Sequence, residues 1–162
     1  MAARLGFLFR VVEREAAHLR FTADGVFSEP FTVERARALA DMPRDAERVE
    51  AFVARFARLQ DTVGDKLIPA MLGALGEPLR AAVDNLDRAE RLGWVASVDE
   101  WMAARQLRNR MVHEYVEDPK LLCTSLMQGE ALVPMLLAAA EACRAEGGRR
   151  GWLASEEGGS AA

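Results

Sequence analysis

Several residue types are scarce in this sequence of 162 residues, which has two cysteines, two histidines and one tyrosine. Cys123 and Cys143 have no neighbouring cysteine or histidine at zinc-ligand spacing, so neither a zinc site nor a disulfide framework is predicted. If one helix carries both thiols, they lie roughly 30 Å apart and cannot form a disulfide. We therefore expect buried thiols, no metal, no cofactor and a cytoplasmic location.

Long apolar runs, a basic excess and a phosphate-binding loop are also missing. The segment GDKLIPAMLGALG lacks the lysine and threonine order of a nucleotide-binding loop. The apolar start of the chain is interrupted at Arg10, which is too early for a signal peptide or a membrane span, so no membrane association is predicted. The net charge of −4 argues against nonspecific coating of nucleic acid, because such binding relies on neutralised phosphates. A local basic cleft is still compatible with this charge.

Apolar residues make up 51% of the chain, enough for one domain with a sizeable core. They recur at spacings of three and four, which predicts helices nearly throughout. The first three expected helices are residues 4 to about 22, a short helix after Ser28 and Pro30, and residues 49–71 with a kink at Gly64 and Pro69. The next runs from Glu77 and Pro78 to Gly93. The last two are a helix capped by Ser97 and a helix from Asp118 and Pro119 to about Arg144. We predict an all-α, antiparallel up-and-down bundle of four to five helices over residues 1–145, followed by a disordered polar tail over 146–162 that contains Trp152.

The segment RQLRNRMVHEYVEDP, residues 105–119, carries most of the unusual side chains. On a regular helix that begins after Ser97, an apolar arc contains Trp101, Ala104, Leu107, Met111 and Val112. Arg108 and Tyr115 fall on or beside this arc, one heptad apart, and Asn109 and His113 lie together at its edge. A half-buried arginine needs an anionic partner. The ordinary explanation is an internal ion pair with a facing carboxylate such as Asp65, Glu77 or Asp84.

Arg108 and His113 also suit phosphate chemistry. Imidazole can take or give a proton near neutral pH, because its ordinary pKa is about 6.5. A guanidinium can neutralise a phosphate through two parallel hydrogen bonds. Arg105 and Arg110 would add positive potential around the same cleft.

The segment RNRMVHEY, residues 108–115, resembles the Arg-x-x-x-x-His-x-Tyr signature of the HEPN superfamily. It is most similar to the HepT-like toxin branch, which is encoded beside a minimal nucleotidyltransferase antitoxin. The resemblance extends over most of residues 1–145 as an order of helices, and the motif itself spans eight residues. It implies a helical bundle that forms a homodimer, with two copies of the motif facing each other across a cleft.

The resemblance further implies a metal-independent endoribonuclease. His113 would act as the general base or acid for attack of a ribose 2′-hydroxyl on the adjacent phosphate. Arg108 would stabilise the charge that develops on that phosphate, with Asn109, Arg105 and Arg110 in supporting, phosphate-binding positions. Tyr115 matches the position at which the partner nucleotidyltransferase silences related toxins by adding AMP.

Two alternatives stay open at this point. The same fold can serve as a non-catalytic, substrate-binding or regulatory subunit of a nucleotidyltransferase. Alternatively, the chain is a plain helical interaction protein in which Arg108 forms an internal salt bridge.

Overall fold

A computed structural model describes residues 2–113 and 118–153, and every regular element within these ranges is a helix. The α-helices are α1 (Ala2–Val26), α2 (Val33–Ala38), α3 (Pro43–Asp61), α4 (Ile68–Ala74), α5 (Ala82–Arg91), α6 (Val98–His113) and α7 (Pro119–Arg149). A 3-10 turn, Leu39–Asp41, follows α2, and a π-helical segment, Thr62–Leu67, lies between α3 and α4. The all-α prediction is confirmed.

The helix α3, the π-helical segment and α4 form one continuous helix, because the residues at both junctions keep right-handed helical dihedral angles. Counted in this way, the described residues contain six helices. The sequence predicted four to five. That number referred to the long helices, and α2 is the short helix predicted after Ser28 and Pro30.

The helices α1 and α3 pack along each other and form the centre of the core. Both bury residues at helical spacing, and α3 buries Val49, Phe52, Phe56 and Leu59 completely. The ring of Phe52 also meets Phe27 edge to face, with 5.0 Å between ring centroids. Full burial of such a side chain stabilises the fold by about 1.5–3 kcal/mol, so this face of α3 determines where α1 lies.

The irregularity predicted at Gly64 and Pro69 is a π-helical segment. Within it, the backbone N–H of Ile68 donates to the carbonyl of Val63, five residues earlier. Pro69 favours this pattern because it has no N–H and its ring crowds the carbonyl four residues before it. Gly64 allows α6 to approach closely, since a Cβ atom at this position would lie 2.9 Å from Nε1 of Trp101.

The starts of α6 and α7 follow the predicted capping residues. The hydroxyl of Ser97 accepts a hydrogen bond from the N–H of Glu100 (3.2 Å). The carboxylate of Asp118 accepts one from the N–H of Lys120 (2.9 Å). Both side chains bind amides that have no partner within their own helix.

Two predicted helix starts were wrong. Thr32 rather than Ser28 caps α2, because its hydroxyl accepts from the N–H of Arg35 (3.1 Å). The helix α5 starts at Ala82 rather than at Glu77. The N–H of Glu77 instead donates to the carbonyl of Leu72 (3.0 Å), and Gly76 has a φ of 77°. Residues 76–77 therefore form the C-cap of α4.

The predicted end of α7 near Arg144 was also wrong, because the helix continues to Arg149. The carboxylate of Glu146 pairs with Arg149 (2.6 Å) and with Arg150. The N–H of Trp152 donates to the carbonyl of Gly147 (2.8 Å), and the Arg150 guanidinium lies over the indole ring. Residues 146–153 therefore continue the folded domain, and residues 154–162 of the predicted tail lie outside the described ranges.

Both thiols are free and buried, as the sequence predicted. Cys123 and Cys143 lie on the core side of α7. Burial raises the pKa of the Cys143 thiol to about 12, so this thiol stays protonated and unreactive at neutral pH.

The helix α7 is long and apolar enough to cross a membrane, with a mean hydropathy of 1.5 over its most apolar window. One of its faces packs on α6, α2 and α1, and 28% of that window is buried in the fold. A core helix of a soluble protein can have the same length and composition. These two properties therefore do not establish a span, and the cytoplasmic location stays a prediction.

Candidate functional site

The helix α6 carries the RNRMVH segment and presents most of the predicted apolar arc to the core. Trp101, Ala104, Leu107 and Met111 are all buried. Val112 was predicted on the same arc, but its side chain is 44% exposed. On the helical wheel Val112 lies about 100° beyond Met111, which is enough to take it past the edge of the buried face.

The guanidinium of Arg108 lies at the boundary between core and solvent, where 26% of its side chain is exposed. One terminal nitrogen donates to Oδ2 of Asp61 at 2.7 Å. The other donates to Oδ1 of Asn109 at 3.1 Å. The Nε atom is buried without a hydrogen-bond partner in the described residues, so the guanidinium is only partly satisfied.

An acidic partner for Arg108 was expected at Asp65, Glu77 or Asp84, and all three choices were wrong. The partner is Asp61, at the end of α3. Asp65 instead faces Arg105, with 3.8 Å between the charged atoms. Glu77 pairs with Arg88 at 2.9 Å. Asp61 and Asp65 both face α6, one turn apart along the long helix, and the packing of the two helices places Asp61 opposite Arg108 and Asp65 opposite Arg105.

The structure brings three of the predicted site residues together. Arg105, Arg108 and Asn109 lie on the edge of α6 that faces the end of α3 and the π-helical segment. Arg110 points to the other side, where its guanidinium donates to Oε1 of Gln128 on α7 (3.2 Å). The supporting role predicted for Arg110 next to Arg108 is therefore not supported by this geometry.

A second acidic group, Glu15 of α1, lies near the same segment. Its Oε1 accepts a hydrogen bond from the hydroxyl of Thr62 (3.2 Å), and its Oε2 is buried without a partner in the described residues. Burial raises the pKa of Glu15, against smaller lowering effects from the Thr62 hydroxyl, Arg58 and Lys66. Three carboxylates and two arginines therefore meet where α1, the long helix and α6 converge: Asp61, Asp65, Glu15, Arg105 and Arg108.

Sequence reasoning missed Asp61, Glu15 and Thr62. One signal was present, because Gln60, Asp61 and Thr62 form a polar run inside an otherwise apolar periodic segment. Such a run within a buried helix needs polar partners from neighbouring helices. The partner of Asp61 is Arg108, and the partner of Thr62 is Glu15.

Two of the predicted site residues lie wholly or partly outside the described part of the chain. His113 is the last residue of α6, and the placement of its side chain is not described. Tyr115 lies in the segment 114–117, which is outside the described ranges. The predicted pairing of Arg108 with His113, and the position of the phenol, therefore stay predictions.

No cluster of three or more histidine, cysteine, aspartate or glutamate side chains with metal-binding geometry occurs among residues 2–113 and 118–153. The polar groups that do converge are guanidinium, amide and carboxylate groups. Arginine and amide groups bind anions such as phosphate, and the nearby carboxylates set their positions.

Comparison with protein-family models, with curated proteins and with solved structures found no match to this chain in any of the three. The resemblance to the HEPN superfamily therefore rests on residues 108–115 and on the all-helical fold.

Proposed function

We propose that the chain is a metal-independent endoribonuclease of the HEPN type, the toxin of a pair whose antitoxin is a minimal nucleotidyltransferase. The observation that carries the proposal is the partly satisfied guanidinium of Arg108 beside Asn109 and Arg105. A guanidinium that served only as a structural ion pair would have its donors occupied, whereas Nε of Arg108 has no partner among the described residues. Nε itself is enclosed, but each terminal nitrogen makes one of its two possible hydrogen bonds, and 26% of the side chain is exposed, so a terminal N–H is left for a phosphate.

In the proposed reaction, His113 takes the proton from a ribose 2′-hydroxyl, and the oxygen attacks the adjacent phosphorus. The O2′–P bond forms as the P–O5′ bond breaks, and the leaving 5′-oxygen takes a proton. The products are a cyclic 2′,3′-phosphate and a free 5′-hydroxyl. Arg108 and Arg105 stabilise the negative charge that grows on the phosphoryl oxygens, and Asn109 orients Arg108.

Asp61 has a positioning role in this proposal. Its carboxylate holds one end of the Arg108 guanidinium at 2.7 Å, which reduces the entropy that the arginine loses when it binds a phosphate. Asp61 is itself 36% exposed, so water can stabilise it when the guanidinium turns towards a substrate.

The proposal includes a homodimer, in which two copies of α6 line one RNA-binding cleft, and a partner nucleotidyltransferase that adds AMP to Tyr115. AMP on this phenol would add bulk and negative charge three residues after Val112, close to where RNA has to bind.

The test of the activity is cleavage of RNA by the purified chain, with a chelator present. We expect wild type to cleave, and His113→Ala and Arg108→Ala to cleave at least about a hundredfold more slowly. Arg91→Ala, an exposed arginine at the end of α5, is the matched control and should cleave like wild type. Absence of cleavage by folded wild type would contradict the ribonuclease proposal.

The test of the modification is mass spectrometry of the chain co-expressed with its partner. We expect an added mass of AMP on wild type and none on Tyr115→Phe. An unmodified Tyr115 would remove this part of the proposal and leave the activity to be judged by cleavage alone.

A second candidate function is a non-catalytic HEPN subunit that binds substrate for a nucleotidyltransferase. The Arg108–Asp61 pair favours it, because a carboxylate at 2.7 Å competes with a phosphate for the same guanidinium. Under this alternative, wild type forms a complex with the nucleotidyltransferase but neither cleaves RNA nor harms the cells that express it.

A further inference from the structure

A groove between α1 and α3 lies away from the α6 site and carries an excess of positive charge. It has a volume of about 360 Å³ and is lined by Phe21, Thr22, Gly25, Arg44, Glu47, Arg48, Ala51 and Arg55. Three guanidiniums therefore face a single carboxylate. This local excess contrasts with the net charge of −4 for the whole chain.

The arginines of this groove come from one face of α3. Arg44, Arg48 and Arg55 are separated by four and seven residues, so they project in nearly the same direction. None of the three forms an ion pair with a carboxylate in the described part of the chain, whereas seven other arginines do. Arginines grouped on one face repel each other unless an anion lies between them.

Arg55 is held in position by protein groups that are not charged. One of its terminal nitrogens donates to the hydroxyl of Thr22 and to the carbonyl of His18 (3.3 Å). Thr22 is itself buried. The guanidinium is therefore oriented towards the groove. Its Nε and its other terminal nitrogen still have N–H groups that can donate to an anion, and this preorganisation favours anion binding.

The α1 side of the groove contributes an aromatic ring and open space. Phe21 is 78% exposed, so most of its ring is open to a ligand in the groove. Gly25 has no atom within 4 Å of where its Cβ would be, so the absence of a side chain keeps this end of the groove open.

We propose that the groove between α1 and α3 binds single-stranded RNA, with Arg44, Arg48 and Arg55 on the phosphates and Phe21 stacked on a base. Guanidiniums bind phosphate through their forked donors, and an aromatic ring next to them is the usual platform for an unpaired base. The groove is concave, which does not suit a flat bilayer. Its walls are two helices whose backbone groups are bonded within each helix, so it offers no strand edge for an extended peptide.

This inference goes beyond the proposed function, because binding in this groove does not require cleavage. The groove and the Arg108 site nevertheless both include residues of α3. Asp61, which contacts Arg108, is seventeen residues after Arg44 on the same helix, or about 25 Å away along its axis. Arg58, near Glu15, lies between them.

The experiment is fluorescence anisotropy with a labelled single-stranded RNA of about twelve nucleotides, measured at several salt concentrations. All variants carry His113→Ala as well, so that cleavage cannot consume the probe. Three phosphate contacts predict a slope of log K against log salt concentration of about −2. The double variant Arg44→Ala/Arg48→Ala should bind at least about tenfold more weakly, with a slope about 1.4 less steep.

Two further variants separate blocked binding from lost folding. Gly25→Glu places a carboxylate into the open end of the groove and should abolish binding. Gly73→Glu is its matched control, because Gly73 is also helical and also has open space around its Cβ position. Phe21→Ser should weaken binding severalfold with no change in slope, since stacking is not ionic.

The inference is overturned if the probe does not bind, if Arg44→Ala/Arg48→Ala binds like Arg91→Ala, or if Gly25→Glu has no more effect than Gly73→Glu. Binding of anionic vesicles or an acidic peptide in preference to RNA would also overturn it. RNA bound but not cleaved by the chain with His113 intact supports the groove and contradicts the ribonuclease. RNA cleaved by the chain with His113 intact, together with probe binding that Arg44→Ala/Arg48→Ala leaves unchanged, does the reverse.

Discussion

Arg35 and Arg108 are both half-buried arginines paired with a carboxylate at 2.7 Å, yet their surroundings differ. Arg35 binds Asp45 through two parallel hydrogen bonds of 2.9 and 2.7 Å. Its remaining terminal nitrogen donates to the carbonyls of Val26 and Glu29. Every nitrogen of this guanidinium therefore has a partner, and the group also lies over the Phe31 ring at 4.8 Å.

Arg108 has a looser environment. It binds Asp61 through one nitrogen only, its second bond goes to the neighbouring Asn109, and its Nε has no partner in the described residues. The two hydrogen-bonding patterns correspond to two uses of the same side chain. A fully bonded arginine joins structural elements, here the α1–α2 connection and the start of α3. A partly bonded arginine at the edge of the core has donors left for an external anion.

The largest expected effect on stability is that of Arg35→Ala. The variant leaves the Val26 carbonyl and the Asp45 carboxylate without their main partner, so we expect a loss of about 3 kcal/mol in the free energy of unfolding. Urea denaturation of the variant and of wild type measures this loss. Arg37→Ala, an exposed arginine on the same helix, should change stability by less than about 0.5 kcal/mol. A loss equally small for Arg35→Ala would mean that its hydrogen bonds are not structural.

Gly64→Ala should have the next largest effect on the stability of the fold. The added Cβ would lie 2.9 Å from the Trp101 indole, so α6 has to move away from the π-helical segment, at a cost of about 1–3 kcal/mol. The control is Gly73→Ala, which meets no atom and should stabilise the chain by up to about 1 kcal/mol through helix propensity. Equal thermal stabilities of the two variants would contradict the close packing of α6 on this segment.

Arg108→Ala should lower the free energy of unfolding by about 1 kcal/mol, which is less than the loss expected for Arg35→Ala. Only one strong hydrogen bond is lost, and Asp61 is exposed enough to be solvated. Denaturant titration of the two variants side by side gives the comparison directly. If Arg108→Ala destabilises as much as Arg35→Ala, the pair with Asp61 is a structural one and the plain interaction-protein alternative is favoured.

Glu15→Gln should have the smallest effect on stability, and the size of this effect should depend on pH. Because burial raises the pKa of Glu15 above its ordinary value of 4.5, the ionised form is disfavoured in the fold. The wild-type side chain is therefore best tolerated below that ordinary value, and stability is lost as pH rises through the higher folded pKa. We expect Glu15→Gln to be more stable than wild type at pH 7, by less than about 1 kcal/mol.

Thermal unfolding at pH 7 and at about pH 4 tests the Glu15 prediction, with Glu13→Gln as the control, since Glu13 lies on the same helix and is more exposed. The advantage of Glu15→Gln should shrink at the lower pH, where wild-type Glu15 is protonated. An advantage that grew as the pH fell would mean that the folded pKa of Glu15 is lowered rather than raised.

The helical fold was predictable from apolar spacing, and caps with a strong local signal were predictable too. Ser97 and Asp118 bind the expected amides because capping depends only on neighbouring residues. The start of α5 and the end of α7 were not predictable in this way. Glu77 belongs to the C-cap of α4, and Trp152 folds back onto Gly147, which are contacts that a periodic pattern does not contain.

The candidate site was predictable in part. The sequence identified Arg105, Arg108 and Asn109 as neighbours on one helix, because they are close in sequence. It did not identify Asp61, and it grouped Arg110 with them. Both errors concern tertiary packing: the position of α3 along α6 places Asp61 opposite Arg108, and Arg110 reaches Gln128 on α7.

The assignment of Arg108 to a phosphate site is tested by measuring RNA cleavage with purified Arg108→Lys beside wild type, with a chelator present. Lysine keeps the charge opposite Asp61, so the variant should unfold at nearly the same temperature, but it lacks the forked donors that bind a phosphate. We predict that Arg108→Lys cleaves at least about tenfold more slowly than wild type. Equal cleavage by the two proteins, or no cleavage by folded wild type, would contradict the assignment of Arg108 to a phosphate site.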